Sequence, residues 1–302
     1  MTKNASHTSV SRWFSNLGQG LAVWLLYYGF RLLPIDLASA VAGGIARNIG
    51  PLLPVSRRAR RNLQLCFPDW SSAQINTAVR EVWDNLGRTA GEFPHLGSLD
   101  ASGGDRRIEI IGLEHLQALR DDNQAGIVVS AHVGNWEVLP RVATAIGLPI
   151  TQVYRAFNTP LGEQVLHRAR ASVLGEAVPK GPRGGQRLLA ALKAGGHLAV
   201  MIDQKLNEGL AVPFFGRPAM TTPIVARFAL RYRCPVITAR SERLAGARFR
   251  ITFSAPIDLP ASGDNTADTL ALMTVMNDSI EAWVRDRPGQ WLWLHRRWID
   301  KN

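Results

Sequence analysis

At 302 residues, 46% hydrophobic and 20% charged, the chain is long enough to bury a sizeable core and too apolar to be intrinsically disordered. Its two cysteines, Cys66 and Cys234, exclude a disulfide scaffold, lack metal-ligand spacing and read as small core residues, so neither a metal nor a cofactor is expected. The net charge of +11 is concentrated at one end: residues 1–66 hold eight basic residues, four of them within Arg57 to Arg61, against the single acid Asp36. Such an end calls for an anionic partner, either nucleic acid or an acidic membrane face.

The first elements favour the membrane. Leu21 to Phe30 reads LAVWLLYYGF, with Trp24, Tyr27 and Tyr28 of the kind that settle at bilayer interfaces. It falls short of the roughly 20 apolar residues needed to span, and the next apolar stretch, Leu37 to Leu53, is broken by Arg47 and Asn48. Interfacial anchoring is therefore expected, with a buried helical hairpin as the alternative. Helical spacing continues through Arg57 to Leu65 and Ser72 to Glu92, capped by Ser71 or Ser72.

From residue 107 the texture changes. Short apolar runs at Ile108 to Ile111, Ile127 to Ser130, Ile150 to Tyr154, His197 to Ile202, Val236 to Ala239 and Phe249 to Phe253 predict strands. Between them, Trp136 to Ala145, Leu161 to Val173, Gly185 to Leu192, Thr222 to Tyr232 and Ala267 to Val284 predict helices. The alternation indicates an α/β fold, a central mixed sheet flanked by helices, with residues 1–66 a membrane-associated basic and apolar segment and 67–302 the α/β domain. Reactive groups in such a sheet gather at the carboxyl ends of its strands.

GxSxG, GxxxxGK[ST], HExxH and paired CxxC motifs are absent. What remains is histidine followed five residues later by an acid. Three such pairs occur where about half a match is expected by chance: His95 with Asp100, His132 with Glu137, and His295 with Asp300. Five residues along an unbroken helix turn a side chain by about 140° from its partner, so the histidine must precede the helix for the pair to meet. Only His132 has that setting, between the strand-like GIVVSA and a helix that Asn135 can cap, with Gly134 relaxing the turn. Glu137, in the first helical turn, is then expected to reach back to one imidazole nitrogen. A carboxylate-steered imidazole is a general base, and without a serine nucleophile it activates a substrate hydroxyl directly, with no covalent acyl-enzyme.

SAHVGNWE at 130–137 resembles the HxxxxD/E block of the lipid A biosynthesis acyltransferases, the late acyltransferases of the lauroyl and myristoyl type. Further blocks agree in order: NLQLCFPDW at 62–70, VYRAFNTP at 153–160, MIDQK at 201–205, VPFFGRPAMTTP at 212–223 and PGQWLWLHRRW at 288–298. The resemblance implies a glycerolipid-acyltransferase-like core behind membrane-associated helices, on the cytoplasmic face of the cell inner membrane. It implies transfer of an acyl group from acyl carrier protein to the hydroxyl of a primary acyl chain on a Kdo-bearing lipid A precursor. His132 would be the base and Glu137 its orienting partner.

Arg155 and Asn158 match the block beside the substrate, where an arginine could hold phosphate or the developing oxyanion. Asp203 and Gln204, ending HLAVMID, are read either as site residues or as a loop tie. Phe214, Phe215, Thr221 and Thr222 either line an acyl channel or close a turn, with Thr222 kept as a substrate contact. Gly181, Arg183, Gly184 and Gly185 form a basic loop able to cradle phosphate, and Arg296 and Arg297 could face lipid phosphates. The competing readings are transfer to another glycolipid or to glycerol phosphate, and a basic protein that binds membrane or nucleic acid without catalysis. The aromatic residues interleave with no known RNA-binding pattern, so nucleic acid is not expected as a partner.

Overall fold

The computed structural model describes residues 4–101, 107–154, 156 and 159–298, with side chains from residue 18 onward. Two helices lead, α1 (Asn4–Arg31) and α2 (Ile35–Ile49), followed by α3 (Ser56–Cys66) and α4 (Ser72–Glu92). Ser71 and Gln74 close a reciprocal capping box at the start of α4, as the sequence predicts. Helices α2 and α4 cross closely because small residues face each other. A Cβ on Gly87 would lie 2.4 Å from the Ala42 carbonyl oxygen, and one on Gly91 2.5 Å from that of Ala38.

Helix α2 buries Ala38, Ser39, Ala42 and Gly43, leaving Leu37, Val41, Ile45 and Ile49 exposed on the other side at i, i+4 spacing. Leu25, Leu26 and Leu32, from α1 and its end, are exposed as well. Among the described residues no helix is long and apolar enough to cross a membrane.

The centre is a seven-stranded mixed sheet. Its strands are β1 (Ile108–Ile111), β2 (Ile127–Ser130), β3 (Ile150–Tyr154), β4 (Gly175–Pro179), β5 (His197–Met201), β8 (Val236–Arg243) and β9 (Phe249–Phe253), in spatial order β1-β9-β8-β2-β5-β3-β4. All neighbours are parallel except β8 and β9. A separate hairpin pairs β6 (Leu210–Phe214) with β7 (Arg217–Thr221). Strand β2 is buried throughout, and its period of two sends Ile127 and Val129 into one core and Val128 into the other.

The remaining helices are α5 (Leu113–Asp121), α6 (Leu139–Ala145), α7 (Pro160–Ala169), α8 (Pro182–Lys193), α9 (Ile224–Tyr232) and α10 (Asn265–Asp286). Two departures from expectation have local causes. Trp136 opens a 3₁₀ turn and not the α-helix, which starts at Leu139 with Pro140, a residue that lacks an N–H, in its first turn. Helix α7 stops at Ala169, four residues early, where Arg170 leaves helical geometry and its N–H is shared between the Arg168 and Leu166 carbonyls.

Candidate active site

Strands β2 and β5 run parallel and in register, Ile127 opposite Leu198 and Ser130 opposite Met201. Carried two residues beyond both strands, the same register sets His132 beside Asp203. The Asp203 carboxylate accepts the His132 ring Nδ1–H on Oδ1 at 2.8 Å, and the His132 backbone N–H on Oδ2 at 2.9 Å. The indole N–H of Trp291 also donates to Oδ2, at 2.9 Å. With its side chain wholly buried, Asp203 fixes both the tautomer and the direction of the ring. The other ring nitrogen, Nε2, is left as the basic one; the Gln204 amide nitrogen lies 3.4 Å from it.

Burial disfavours charge on both groups. For His132, the attraction and hydrogen bond of Asp203, aided by the Glu137 charge, overcome burial and raise the pKa above the ordinary histidine value. For Asp203, burial likewise loses to His132 and His295, and the carboxyl is held well below the usual range. The Trp136 ring meets the imidazole edge to face, with centroids 5.0 Å apart.

The turn that carries His132 is gripped from two sides. Gly134 has φ +58°, and a Cβ there would lie 2.3 Å from the Ser241 carbonyl oxygen, so no other residue fits. Asn135 caps the next turn, its Oδ1 accepting the Glu137 backbone N–H at 3.1 Å, while its Nδ2 donates to Glu92 at 2.7 Å. Glu92 pairs in turn with the buried Arg243, which also donates from Nε to Asn85 at 2.9 Å. Asn85 donates to the Gly134 carbonyl at 2.9 Å, so α4 and β8 clamp the turn between them.

Glu137 does not occupy the place that its spacing predicts. Its carboxylate receives Arg170, from Nε at 2.9 Å and Nη2 at 2.6 Å, and the Trp136 indole N–H at 3.2 Å. Helix geometry explains the difference: the 3₁₀ turn points Glu137 toward the end of α7, and Asp203 already fills the imidazole Nδ1 side. The remaining Arg170 amino group, Nη1, is buried without a hydrogen-bond partner among the described residues. Sequence reasoning missed Arg170 and the role of Trp291; the paired strands were the available signal for Asp203.

The other predicted positions separate. Gln204 joins His132; Arg155 and Asn158 lie outside the described residues. Arg183 is exposed in the first turn of α8, just after β4, and Thr222 sits between β7 and α9. Arg297 does not face outward: it is buried over the Phe214 ring and donates to Thr221 Oγ1 at 2.9 Å, and burial pushes its pKa down to about 10. Phe214 and Phe215 pack with Trp291, Trp293 and Trp298 and belong to the core. Of the other histidines, His95 bonds the Phe30 carbonyl, while His295 lies under the site with Nε2 3.0 Å from the Asp203 carbonyl oxygen.

Both thiols are buried, and burial pushes Cys66 up to about 12 and Cys234 to about 11, far from nucleophilic use. A narrow cavity of about 50 Å³ runs between Ser130, Trp136, Leu139, Ala143, Val153 and Phe253, its Trp136 wall being the ring that meets His132.

Comparison with known proteins covers the whole site. A family described as bacterial lipid A biosynthesis acyltransferase matches residues 3–300. The lipid A biosynthesis palmitoleoyltransferase of Escherichia coli K12 is 26% identical over 289 residues, 91% of this chain and 90% of that protein. The lauroyltransferase of the same organism is 26% identical over 304 residues, with 94% and 91% covered, and its myristoyltransferase 22% over 276, with 88% and 82% covered. The chain therefore belongs to the bacterial lipid A biosynthesis acyltransferase family, and is a transferase and not a basic binding protein.

Proposed function

We propose that the chain transfers a fatty acyl group from an acyl carrier protein thioester to the hydroxyl of a primary acyl chain on a Kdo-bearing lipid A precursor. The observation that carries this reading is the His132–Asp203 pair, which fixes one ring nitrogen and leaves the other basic, while both thiols are buried and unreactive. His132 Nε2 takes the proton of the acceptor hydroxyl as its oxygen attacks the thioester carbonyl. Asp203 stabilises the imidazolium that forms. Arg170, held by Glu137 with one amino group unpartnered, supplies a cationic donor for the oxyanion. Collapse of the tetrahedral intermediate expels the carrier thiolate, which takes the proton from His132, so no covalent acyl-enzyme forms.

The narrow cavity under Trp136 offers space for a short stretch of donor hydrocarbon. The exposed apolar faces of α1 and α2 and the basic residues that follow suit a seat on the cytoplasmic face of the inner membrane, where a lipid acceptor presents its head. The test is transfer of acyl groups from acyl carrier protein to the precursor in mixed micelles. Turnover is expected in the natural chain and its loss in a folded His132→Ala variant; unchanged turnover in that variant would defeat the reading. Offering glycerol phosphate and other glycolipids in parallel, with mass-spectrometric product detection, fixes the acceptor.

A further inference from the structure

A cavity of about 710 Å³, lined by neither His132 nor Asp203, lies between the end of α1, the 3₁₀ segment Phe93–Ser98 and the end of α7 with the stretch that follows it. Arg31, Arg168 and His95 line it, with the hydroxyls of Tyr28, Ser98 and Ser172. Among the described residues, no carboxylate does. Arg168 donates to the Tyr28 hydroxyl and stacks near its ring, which uses only part of the guanidinium's five N–H groups.

A simpler role for these cations is to offset the two helices that end here, α1 at Arg31 and α7 at Ala169. Each carboxyl terminus contributes roughly half a negative charge, and His95 Nε2 already donates to the Phe30 carbonyl at 3.0 Å. Two guanidiniums exceed that demand and leave the cavity positive. The same end of α1 carries bare apolar side chains: Leu25, Leu26 and Leu32 stand 56%, 59% and 86% exposed. A cationic hollow at a helix end that also exposes leucines matches an amphiphile with an anionic head and alkyl tails.

We propose that this cavity binds the phosphate-bearing headgroup of a lipid, at a site separate from the His132–Asp203 pair. Arg168 and Arg170 lie on one short stretch, so an occupant held by Arg168 also steadies the segment that presents Arg170 to Glu137. The phosphate comes either from the acceptor or from a neighbouring phospholipid of the bilayer. The inference does not require the acyl-transfer reading: a chain that bound the phosphate but transferred nothing would keep one and lose the other.

The test uses the full chain in neutral detergent micelles doped with phosphatidic acid, with inorganic phosphate as a soluble competitor. The double variant Arg31→Gln/Arg168→Gln is expected to bind phosphatidic acid about tenfold more weakly. Lys193→Gln/Arg227→Gln, which removes equal charge from other faces, is expected to bind normally. Ser98→Trp fills the hollow while keeping both guanidiniums and is expected to weaken binding too, whereas Arg31→Lys/Arg168→Lys retains much of it. A raised KM for the acceptor in the glutamine variant assigns the phosphate to the acceptor. An unchanged KM with loss of stimulation by phosphatidic acid assigns it to a bilayer phospholipid. Natural affinity in the folded Arg31→Gln/Arg168→Gln and Ser98→Trp variants, or an equal loss in the charge control, overturns the proposal.

Discussion

Asp203 holds His132 twice, through the ring Nδ1–H and through the backbone N–H, so one carboxylate sets both the tautomer of the imidazole and the position of its main chain. Asparagine at 203 keeps the shape but loses the charge, and it must turn an amide N–H toward a donor on His132 or Trp291. Asp203→Asn is therefore expected to lower turnover by about 10³–10⁴-fold with the fold retained. Acyl-transfer rates beside a thermal melt check this, and a loss under tenfold would remove Asp203 from the chemistry.

The raised pKa of His132 gives a pH dependence with a defined sign. The neutral imidazole is the base, so the rate should climb with pH and level off once pH passes the raised value. Without the Asp203 charge the imidazolium loses its main support, so in Asp203→Asn the acid limb should move to lower pH. Stability runs the other way: the imidazolium's contribution is full below about 6.5 and is lost as pH rises through the folded value. Profiles of log kcat/KM for both proteins give the comparison.

Glu137 and Arg170 form a forked pair with side chains 10% and 17% exposed. If Glu137 works by holding Arg170, Glu137→Gln and Arg170→Gln will each slow transfer by roughly 10²-fold or more, and the double variant will be little worse than either. Full additivity in that cycle would mean that the two act independently.

The clamp beneath the turn predicts a stability effect. Arg243 and Glu92 are buried and mutually paired, so Arg243→Met strands a carboxylate and should cost about 3–5 kcal/mol in chemical denaturation. Asn135→Ala removes a cap and a Glu92 partner, with an expected cost of at least about 1 kcal/mol and a slower enzyme.

On α2, Val41 and Ile45 are exposed on the apolar face. Val41→Glu/Ile45→Glu should leave the melting temperature within a few degrees of the natural chain and sharply reduce co-sedimentation with anionic vesicles. Retained binding would place membrane contact elsewhere.

Much of this architecture was legible in the sequence, because strands such as Ile127–Ser130 and Phe249–Phe253 are short apolar runs between turn signals and α4 carries its own cap. Strand β4 was missed because Gly175 and Pro179 bound an edge segment without alternation, and the β6–β7 hairpin because Pro213 and Pro218 interrupt both arms. Helix α5 begins after Gly112 with no side-chain cap. In the site, His132 was found from its strand-turn setting, but its carboxylate partner was sought five residues away. The true contact follows from lateral strand pairing across 71 residues, which local spacing does not encode, and Glu137 was drawn off by Arg170, a partner 33 residues away.

The shared register of β2 and β5 ties the chain's length to its chemistry. Removing one residue between Ile127 and His132, or between Leu198 and Asp203, would turn one side chain to the opposite layer, leaving a sheet that still pairs but a proton with nowhere to go. Indels in these two short intervals should thus silence the enzyme ahead of any collapse of the molecule.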